Sequence, residues 1–168
     1  MTQTALLVID VQNAVVAEGA QRESEVLAAI ADLARRARAA GTPVIYVQHN
    51  EPPFPAMRHG GDGWQVHPAV APLPGELRID KTEADSFTGS PSLAAALEAL
   101  GARRIVMCGL QTDHCVNATV RSGHAKGYEV VLAGDAHTTS SPQAVIDAHN
   151  ADLAALGVAV KPAAEIGF

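Results

Sequence analysis

The stretch IVMCGLQTDHCVNATVRSGHAKGYEVVLA, residues 105–133, decides the fold class of this chain. Its two ends, Ile105–Cys108 and Val130–Ala133, are apolar runs without polar alternation, which is typical of strands buried on both faces of a parallel sheet. Between them, Cys115–Lys126 predicts a helix, and Gly127 is a residue of the kind that commonly ends one. Strand, helix and strand in this order predict two parallel strands joined by a crossover helix.

The same alternation extends over the rest of the chain. Four more apolar runs predict strands, namely Ala5–Ile9, Val44–Val47, Leu77–Ile79 and Val158–Val160. Three more segments predict helices, namely Ser24–Ala40, Ser92–Leu100 and Gln143–Leu156. Six strands alternating with helices predict a single α/β domain over residues 1–168, with a six-stranded parallel sheet and helices on both faces.

Length and composition exclude several classes of protein. The chain has 168 residues, the size of one ordinary domain, and a net charge of −6, which argues against nucleic-acid binding. No apolar run approaches the ~18 residues of a membrane-spanning helix, and the first residues lack a basic segment and cleavage site. Cys108 and Cys115 form no disulfide framework. We therefore expect a cytoplasmic protein without membrane or nucleic-acid partners.

One segment breaks the alternation of strands and helices. Residues 49–76, here called the flap, hold most of the prolines, three histidines and Trp64, and show no hydrophobic periodicity. A loop of this length inside one domain usually has a function. We expect the flap to cover the carboxyl ends of the strands and to shape a binding site there.

Three residues at predicted strand ends form a chemically coherent set. Asp10 follows the first strand, Lys81 the third, and Cys115 the fourth, so all three open onto the same edge of the sheet. A cysteine becomes a nucleophile when its pKa is lowered, which a helix N-terminus and a nearby ammonium group such as Lys81 both favour. Asp10 is suited to accept the thiol proton and return it to a leaving amine.

Each of these residues also has a purely structural interpretation. An aspartate at the end of a first strand is common in α/β proteins, and for Lys81 alone, beside Asp80 and Glu83, we favour a solvated charge. A free cysteine is usually a small buried hydrophobe, which is the interpretation we favour for Cys108. The combination of Asp10, Lys81 and Cys115 at three strand ends favours a catalytic site.

The segments LLVIDVQN, residues 6–13, and GLQTDHCVNATVRSGHAKGYEVVLAGDAHTT, residues 109–139, resemble the isochorismatase-like cysteine hydrolases. The resemblance implies a three-layer Rossmann-like fold and a homo-oligomer, either a dimer or a tetramer. It implies an Asp10–Lys81–Cys115 triad that cleaves a C–N bond in a small non-peptide amide, ureide or lactam through a thioester, without a cofactor.

The resemblance also implies details of the nucleophile turn and of the pocket. A cis peptide is expected between Leu110 and Gln111, and the backbone N–H groups of Gln111 and Cys115 are expected to form an oxyanion hole. Five side chains are candidates for substrate contact: Asn13, His49, Trp64, Phe87 and Thr112. For Trp64 a subunit contact, and for Phe87 a loop anchor, are the alternatives.

Two other functions stay open on the sequence. The residues Thr112–Val116 are similar to those of nicotinamidases, which bind a metal through an Asp-x-His pair after the second strand. This chain has Gln48 and His49 there instead, so we predict no metal, although His49, His59 and His67 are candidates to gather a zinc ion. The alternative of another class is a non-catalytic small-molecule-binding protein on the same scaffold.

Overall fold

A computed structural model describes residues 3–89 and 91–168, which form a six-stranded sheet with helices on both sides. The strands are β1 (Gln3–Ile9), β2 (Val44–His49), β3 (Leu77–Lys81), β4 (Ala102–Leu110), β5 (Glu129–Thr138) and β6 (Ala159–Lys161). The helices are α1 (Asn13–Val16), α2 (Glu23–Ala39), α3 (Ser86–Gly89), α4 (Pro91–Ala99), α5 (Asn117–Ala125) and α6 (Gln143–Ala155).

The strands lie in the order β3-β2-β1-β4-β5-β6, and every neighbouring pair is parallel. This arrangement confirms the predicted α/β class and the six-stranded parallel sheet. The strand order reverses direction between β1 and β4, which is where α/β folds of this kind place their binding sites.

Alternate residues of the strands pack into two separate cores. On β1, Leu6 and Val8 face the core covered by α2, whereas Leu7 and Ile9 face the core covered by α4, α5 and α6. The helix α2 contributes its apolar stripe to the first of these cores, including Ile30. Each such fully buried side chain contributes ~1.5–3 kcal/mol to folding, so both faces of the sheet contribute to stability.

The ends of several elements differ from the sequence prediction. The strand β5 continues to Thr138 instead of ending at Ala133, because after an irregularity in the pairing Gly109 and Leu110 pair with His137 and Thr138. The helices α1 and α3 are four residues long, and no hydrophobic periodicity in the sequence predicted them. They are too short to present a repeated apolar face.

Gly109 is required by the close approach of β4 to β1. Its φ is +131°, and a Cβ at this position would lie 2.0 Å from the carbonyl oxygen of Ile9. The two central strands therefore come together directly before the residues that carry the predicted chemistry, and only glycine permits this approach.

The flap folds back onto the end of β1. Backbone N–H groups of Asn13 and Ala14 donate to the carbonyl oxygens of Gln65 and Gly63 at 3.0 and 2.9 Å. In the opposite direction, the backbone N–H of His67 donates to the carbonyl oxygen of Val11 at 2.8 Å. These bonds fix the flap beside the carboxyl edge of the sheet.

Among the described residues, no helix combines the length and the apolar character that crossing a membrane requires. The expected homo-oligomer and the expected cytoplasmic location stay predictions.

Candidate active site

Asp10, Lys81 and Cys115 meet at the carboxyl edge of the sheet. Lys81 is the last residue of β3 and pairs with His49 at the end of β2, while Asp10 directly follows β1. Ile9, just before Asp10, pairs with Gly109 of β4, whose chain continues into the turn that carries Cys115. Four adjacent strand ends thus bring together residues far apart in sequence.

Asp10 and Lys81 form a buried ion pair. Lys81 Nζ lies 2.8 Å from Asp10 Oδ2, and the two side chains are 0% and 2% exposed. The ammonium also donates to the carbonyl oxygens of Glu83 at 2.8 Å and Ala84 at 3.0 Å. Burial lowers the pKa of Lys81, but Asp10 and Cys115 more than offset it, so the net pKa is raised and Lys81 stays charged.

Asp10 keeps one carboxylate oxygen free. Its backbone has a φ of 50°, a left-handed conformation that is uncommon for a residue with a side chain, and its N–H donates to the carbonyl oxygen of Val47 at 2.9 Å. No described residue donates a hydrogen bond to the buried Oδ1 atom. A buried acceptor without a donor is costly, and such groups occur where function requires them.

Cys115 lies in a wide turn of five residues, Thr112–Val116, before α5 begins. The N–H of Val116 donates to the carbonyl oxygen of Gln111 at 3.1 Å, a bond that spans five residues and defines a π-turn. The sequence predicted that Cys115 begins a regular α-helix. In the structure it lies instead in the π-turn that precedes α5. The peptide bond from Leu110 to Gln111 is cis, as the resemblance implied.

The protonation state of Cys115 is the opposite of the sequence-based expectation. Burial raises the pKa of its thiol, the negative charge of Asp10 raises it further, and Lys81 offsets only part, leaving a pKa of about 12. Lys81 lowers the thiol pKa as expected, but burial and Asp10 outweigh it, so the net pKa is raised where the sequence predicted a lowered one. The thiol is protonated at neutral pH and has a carboxylate beside it to accept the proton.

A cavity of about 450 Å³ opens over these groups. Asp10 and Cys115 line it together with apolar side chains and two glutamates. The other lining residues are Val15, Glu18, His49, Glu51, Met57, Ala84, Leu110, Gln111 and His114. The cavity is large enough for a small molecule.

The isochorismatase domain model matches residues 4–165 of this chain. The chain belongs to the isochorismatase family.

Individual relatives in the isochorismatase family are similar to this chain in sequence and in fold. A streptothricin hydrolase from Streptomyces noursei is 39% identical over 137 residues, covering 80% of this chain and 54% of the relative. This chain thus spans about half the length of that hydrolase. A ureidoacrylate amidohydrolase from Azorhizobium caulinodans is 28% identical over 181 residues, covering 85% of this chain and 79% of the relative. A crystal structure of an isochorismatase-family protein from Chromobacterium violaceum has a TM-score of 0.86 at 32% identity, covering 97% of this chain and 90% of that one.

Of the five expected substrate-contact residues in this family member, His49 lines the cavity. Asn13 donates to the carbonyl oxygen of Asp62 at 2.9 Å and so anchors the flap. Trp64 is buried, with its ring 4.3 Å from that of His59.

Phe87 and Thr112 are also engaged away from the cavity. Phe87 belongs to the core under α4 and α5 and stacks on Tyr128, so the alternative of an anchor fits its position better than a pocket wall. The hydroxyl of Thr112 is buried 2.8 Å from His137 Nδ1. The sequence placed both residues near the strand ends but did not determine the direction of their side chains.

Gln12 is a positioning residue that the sequence analysis missed. It is completely buried, its Nε2 donates to the carbonyl oxygens of His49 and Trp64 at 3.0 and 2.9 Å, and its Oε1 accepts from the N–H of His49 at 2.8 Å. Gln12 thereby ties β1 to the end of β2 and to the flap. The available signal was a second polar residue, two positions after Asp10, close behind the predicted strand Ala5–Ile9.

The three flap histidines do not form a common metal site. Among the described residues, the cluster of candidate ligands is Asp10, His49 and Cys115, whose ligand atoms lie within 4.8 Å of one another. Lys81 Nζ already supplies a positive charge there, 2.8 Å from Asp10 and 3.5 Å from His49 Nδ1. A metal cation at this point would face the ammonium group of Lys81, which is unfavourable. His59 instead contacts the Asp80 carboxylate.

Proposed function

We propose that this isochorismatase-family member hydrolyses a C–N bond of a small non-peptide amide, ureide or lactam through a thioester on Cys115. The observation that carries the proposal is the buried Asp10–Lys81 ion pair, which keeps one carboxylate oxygen free within reach of the Cys115 thiol on the cavity wall. The ureidoacrylate amidohydrolase and streptothricin hydrolase among its relatives support this class of reaction.

In the first half of the reaction, Asp10 acts as general base. It accepts the thiol proton as Cys115 Sγ forms a bond to the substrate carbonyl carbon, and the carbonyl oxygen becomes an oxyanion. The backbone N–H groups of Gln111 and Cys115 are the proposed donors to this oxygen, an interaction typically worth ~2.7–4 kcal/mol in the transition state. Lys81 offsets the negative charge around Asp10 before the proton moves.

The tetrahedral intermediate then collapses. The C–N bond breaks, Asp10 returns its proton to the departing nitrogen, and the acyl group stays on Cys115 as a thioester. A water molecule gives its proton to Asp10 and attacks the thioester carbonyl carbon. The C–S bond breaks, the acid is released, and the proton returns to the Cys115 sulfur, so these steps need no cofactor.

The raised pKa of Cys115 is consistent with this sequence of proton transfers. A thiol whose pKa burial raises to about 12 is a poor nucleophile by itself but becomes reactive when a base removes its proton during attack. Asp10 both raises the thiol pKa and provides the base. The thiolate is therefore scarce in the resting protein and forms as Asp10 removes the proton during attack.

A panel of small amides, ureides and lactams tests the proposal. The purified chain is incubated with each compound, product formation is measured, and acid-quenched protein is analysed by mass spectrometry for an acyl adduct. We expect turnover of at least one compound and an adduct on the peptide that contains Cys115. Absence of both across the panel would contradict the proposal and favour the non-catalytic binding protein. Nicotinamide, assayed with and without a chelator, tests the metal-dependent alternative.

A further inference from the structure

We infer that the cavity selects a substrate that carries a cationic group at a distance from the scissile amide. This inference rests on the proposed function and names the charge class of its substrate. Its basis is two cavity-lining carboxylates, Glu18 and Glu51, which have no role in the bond-breaking steps above.

The two glutamates reach the cavity from different elements. Glu18 lies in the turn after α1, and its carboxylate accepts a hydrogen bond from Gln111 Nε2. Glu51 lies two residues beyond the end of β2, with its Oε2 atom 3.7 Å from His49 Nε2. The positions of both carboxylates are therefore tied to residues of the site, Gln111 and His49.

The charges on the cavity wall do not balance. Asp10 is paired with Lys81, whereas Glu18 is bonded to an uncharged amide and Glu51 contacts only a histidine ring. In the described part of the chain, neither glutamate forms an ion pair with a lysine or an arginine. An anionic substrate would face like charges, whereas a cationic group would supply the missing counter-charge.

The rest of the cavity wall places the other parts of such a substrate. Asp10 and Cys115 line the cavity where the scissile amide would lie. The apolar side chains of Val15, Met57 and Leu110 line a part of the cavity that an uncharged spacer of the substrate can contact. An amide, an alkyl spacer and a cationic head match these three features of the cavity.

A pair of amides of equal shape tests the inference. The cationic member is 4-(trimethylammonio)butanamide and the neutral one is 5,5-dimethylhexanamide, in which carbon replaces the charged nitrogen. We expect a kcat/KM about tenfold higher for the cationic amide, because partly exposed charge pairs typically contribute a few-fold each. The preference should shrink at ~1 M salt, where charges are screened beyond ~3 Å.

Charge-removing variants assign the preference to the two glutamates. In the double variant Glu18→Gln/Glu51→Gln, we expect the preference to fall to about twofold or less. Glu98→Gln is the matched control, since it removes one exposed glutamate from α4, at the opposite edge of the sheet. A wild-type protein without preference, or a preference that survives in the double variant, would overturn the inference.

A second readout does not depend on turnover. Cationic and anionic methanethiosulfonates both transfer a thioalkyl group to a cysteine sulfur and release methanesulfinate, so their rate ratio at Cys115 reports the local charge. Relative to 2-mercaptoethanol, we expect the cationic reagent to be favoured about tenfold, and Glu18→Gln/Glu51→Gln to remove most of this ratio. A ratio near one in the wild type would overturn the inference. If the ratio holds while the panel described above gives neither turnover nor an adduct on Cys115, the proposed function fails and the cationic selectivity stands.

Discussion

Two buried polar clusters lie at the same edge of the sheet and differ in how their hydrogen-bonding capacity is used. The first, here called the catalytic cluster after its proposed role, consists of Asp10, Lys81 and Cys115; it is charged, and one carboxylate oxygen has no donor among the described residues. The His137 cluster consists of Thr112, His137 and Asn150. Here His137 Nδ1 lies 2.8 Å from Thr112 Oγ1, and its Nε2 lies 2.8 Å from Asn150 Oδ1.

The His137 cluster is complete without a ligand. Asn150 Nδ2 donates to the carbonyl oxygen of Gly134 at 2.9 Å, and burial lowers the pKa of His137 to about 4, so its ring is neutral at physiological pH. A satisfied neutral network stabilises the fold around the nucleophile turn. The catalytic cluster instead leaves an acceptor unused next to a cavity. The comparison teaches that these two clusters, both of them buried, differ in charge and in whether their hydrogen-bonding capacity is used.

The largest expected effect is the loss of the nucleophile. Cys115→Ala should lower hydrolysis of any active amide by ~10⁴-fold or more while the fold persists. Cys108→Ala, the same change at a fully buried position of β4, should cost stability and retain activity. Steady-state kinetics and thermal unfolding of both variants check this pair. Activity retained in Cys115→Ala would break the distinction between the two clusters.

Asp10→Asn should change activity and thiol reactivity in opposite directions. Hydrolysis should fall by ~10²–10⁴-fold because the general base is lost. Alkylation of Cys115 by iodoacetamide at pH 8 should become severalfold faster, because Asp10 adds to the effect of burial in raising the thiol pKa to about 12. Peptide mapping after timed alkylation gives the rate. Slower alkylation in the variant would contradict the assigned electrostatics.

Lys81→Met should destabilise the fold by ~3–5 kcal/mol, since it leaves the buried Asp10 carboxylate without its counter-charge. The double variant Asp10→Asn/Lys81→Met removes both charges and should regain much of that loss. Urea unfolding of the wild type, the single variant and the double variant measures the coupling. A double variant less stable than Lys81→Met would show that the ion pair is not the origin of the effect.

The smallest effect concerns the His137 cluster and acid. Burial lowers the pKa of His137 from its ordinary value of 6.5 to about 4, so between these pH values the unfolded chain binds a proton that the folded chain does not. Stability should therefore be fully present above pH 6.5 and decline as the pH falls, by ~1.4 kcal/mol per pH unit for this group. Urea unfolding from pH 7 to pH 4 measures the slope.

His137→Gln should flatten this slope, and His124→Gln, which alters a histidine outside the cluster, should leave it unchanged. Activity of the folded fraction of His137→Gln should exceed that of Asp10→Asn at neutral pH. An unchanged slope in His137→Gln would show that another group accounts for the acid sensitivity.

Some features of the molecule follow from short-range patterns in the sequence. The apolar runs around Leu6–Ile9 and Ile105–Cys108 predicted the central strands, because residues buried on both faces of a parallel sheet need no polar alternation. Once the strands are parallel, Asp10 and Lys81 must lie at the same edge. The same patterns did not predict that Phe87 packs into the core, because a period describes an element and not the direction of a loop residue.

The sequence by itself determined the class of fold, the edge at which Asp10, Lys81 and Cys115 meet, and the family. Only the tertiary structure decided that burial and Asp10 raise the pKa of Cys115 and that Glu18 and Glu51 line the cavity. The physical reason is the distance over which the interactions act. Strand and helix formation depend on neighbours along the chain, whereas desolvation and charge–charge interactions depend on distances in space, which no spacing along the sequence specifies.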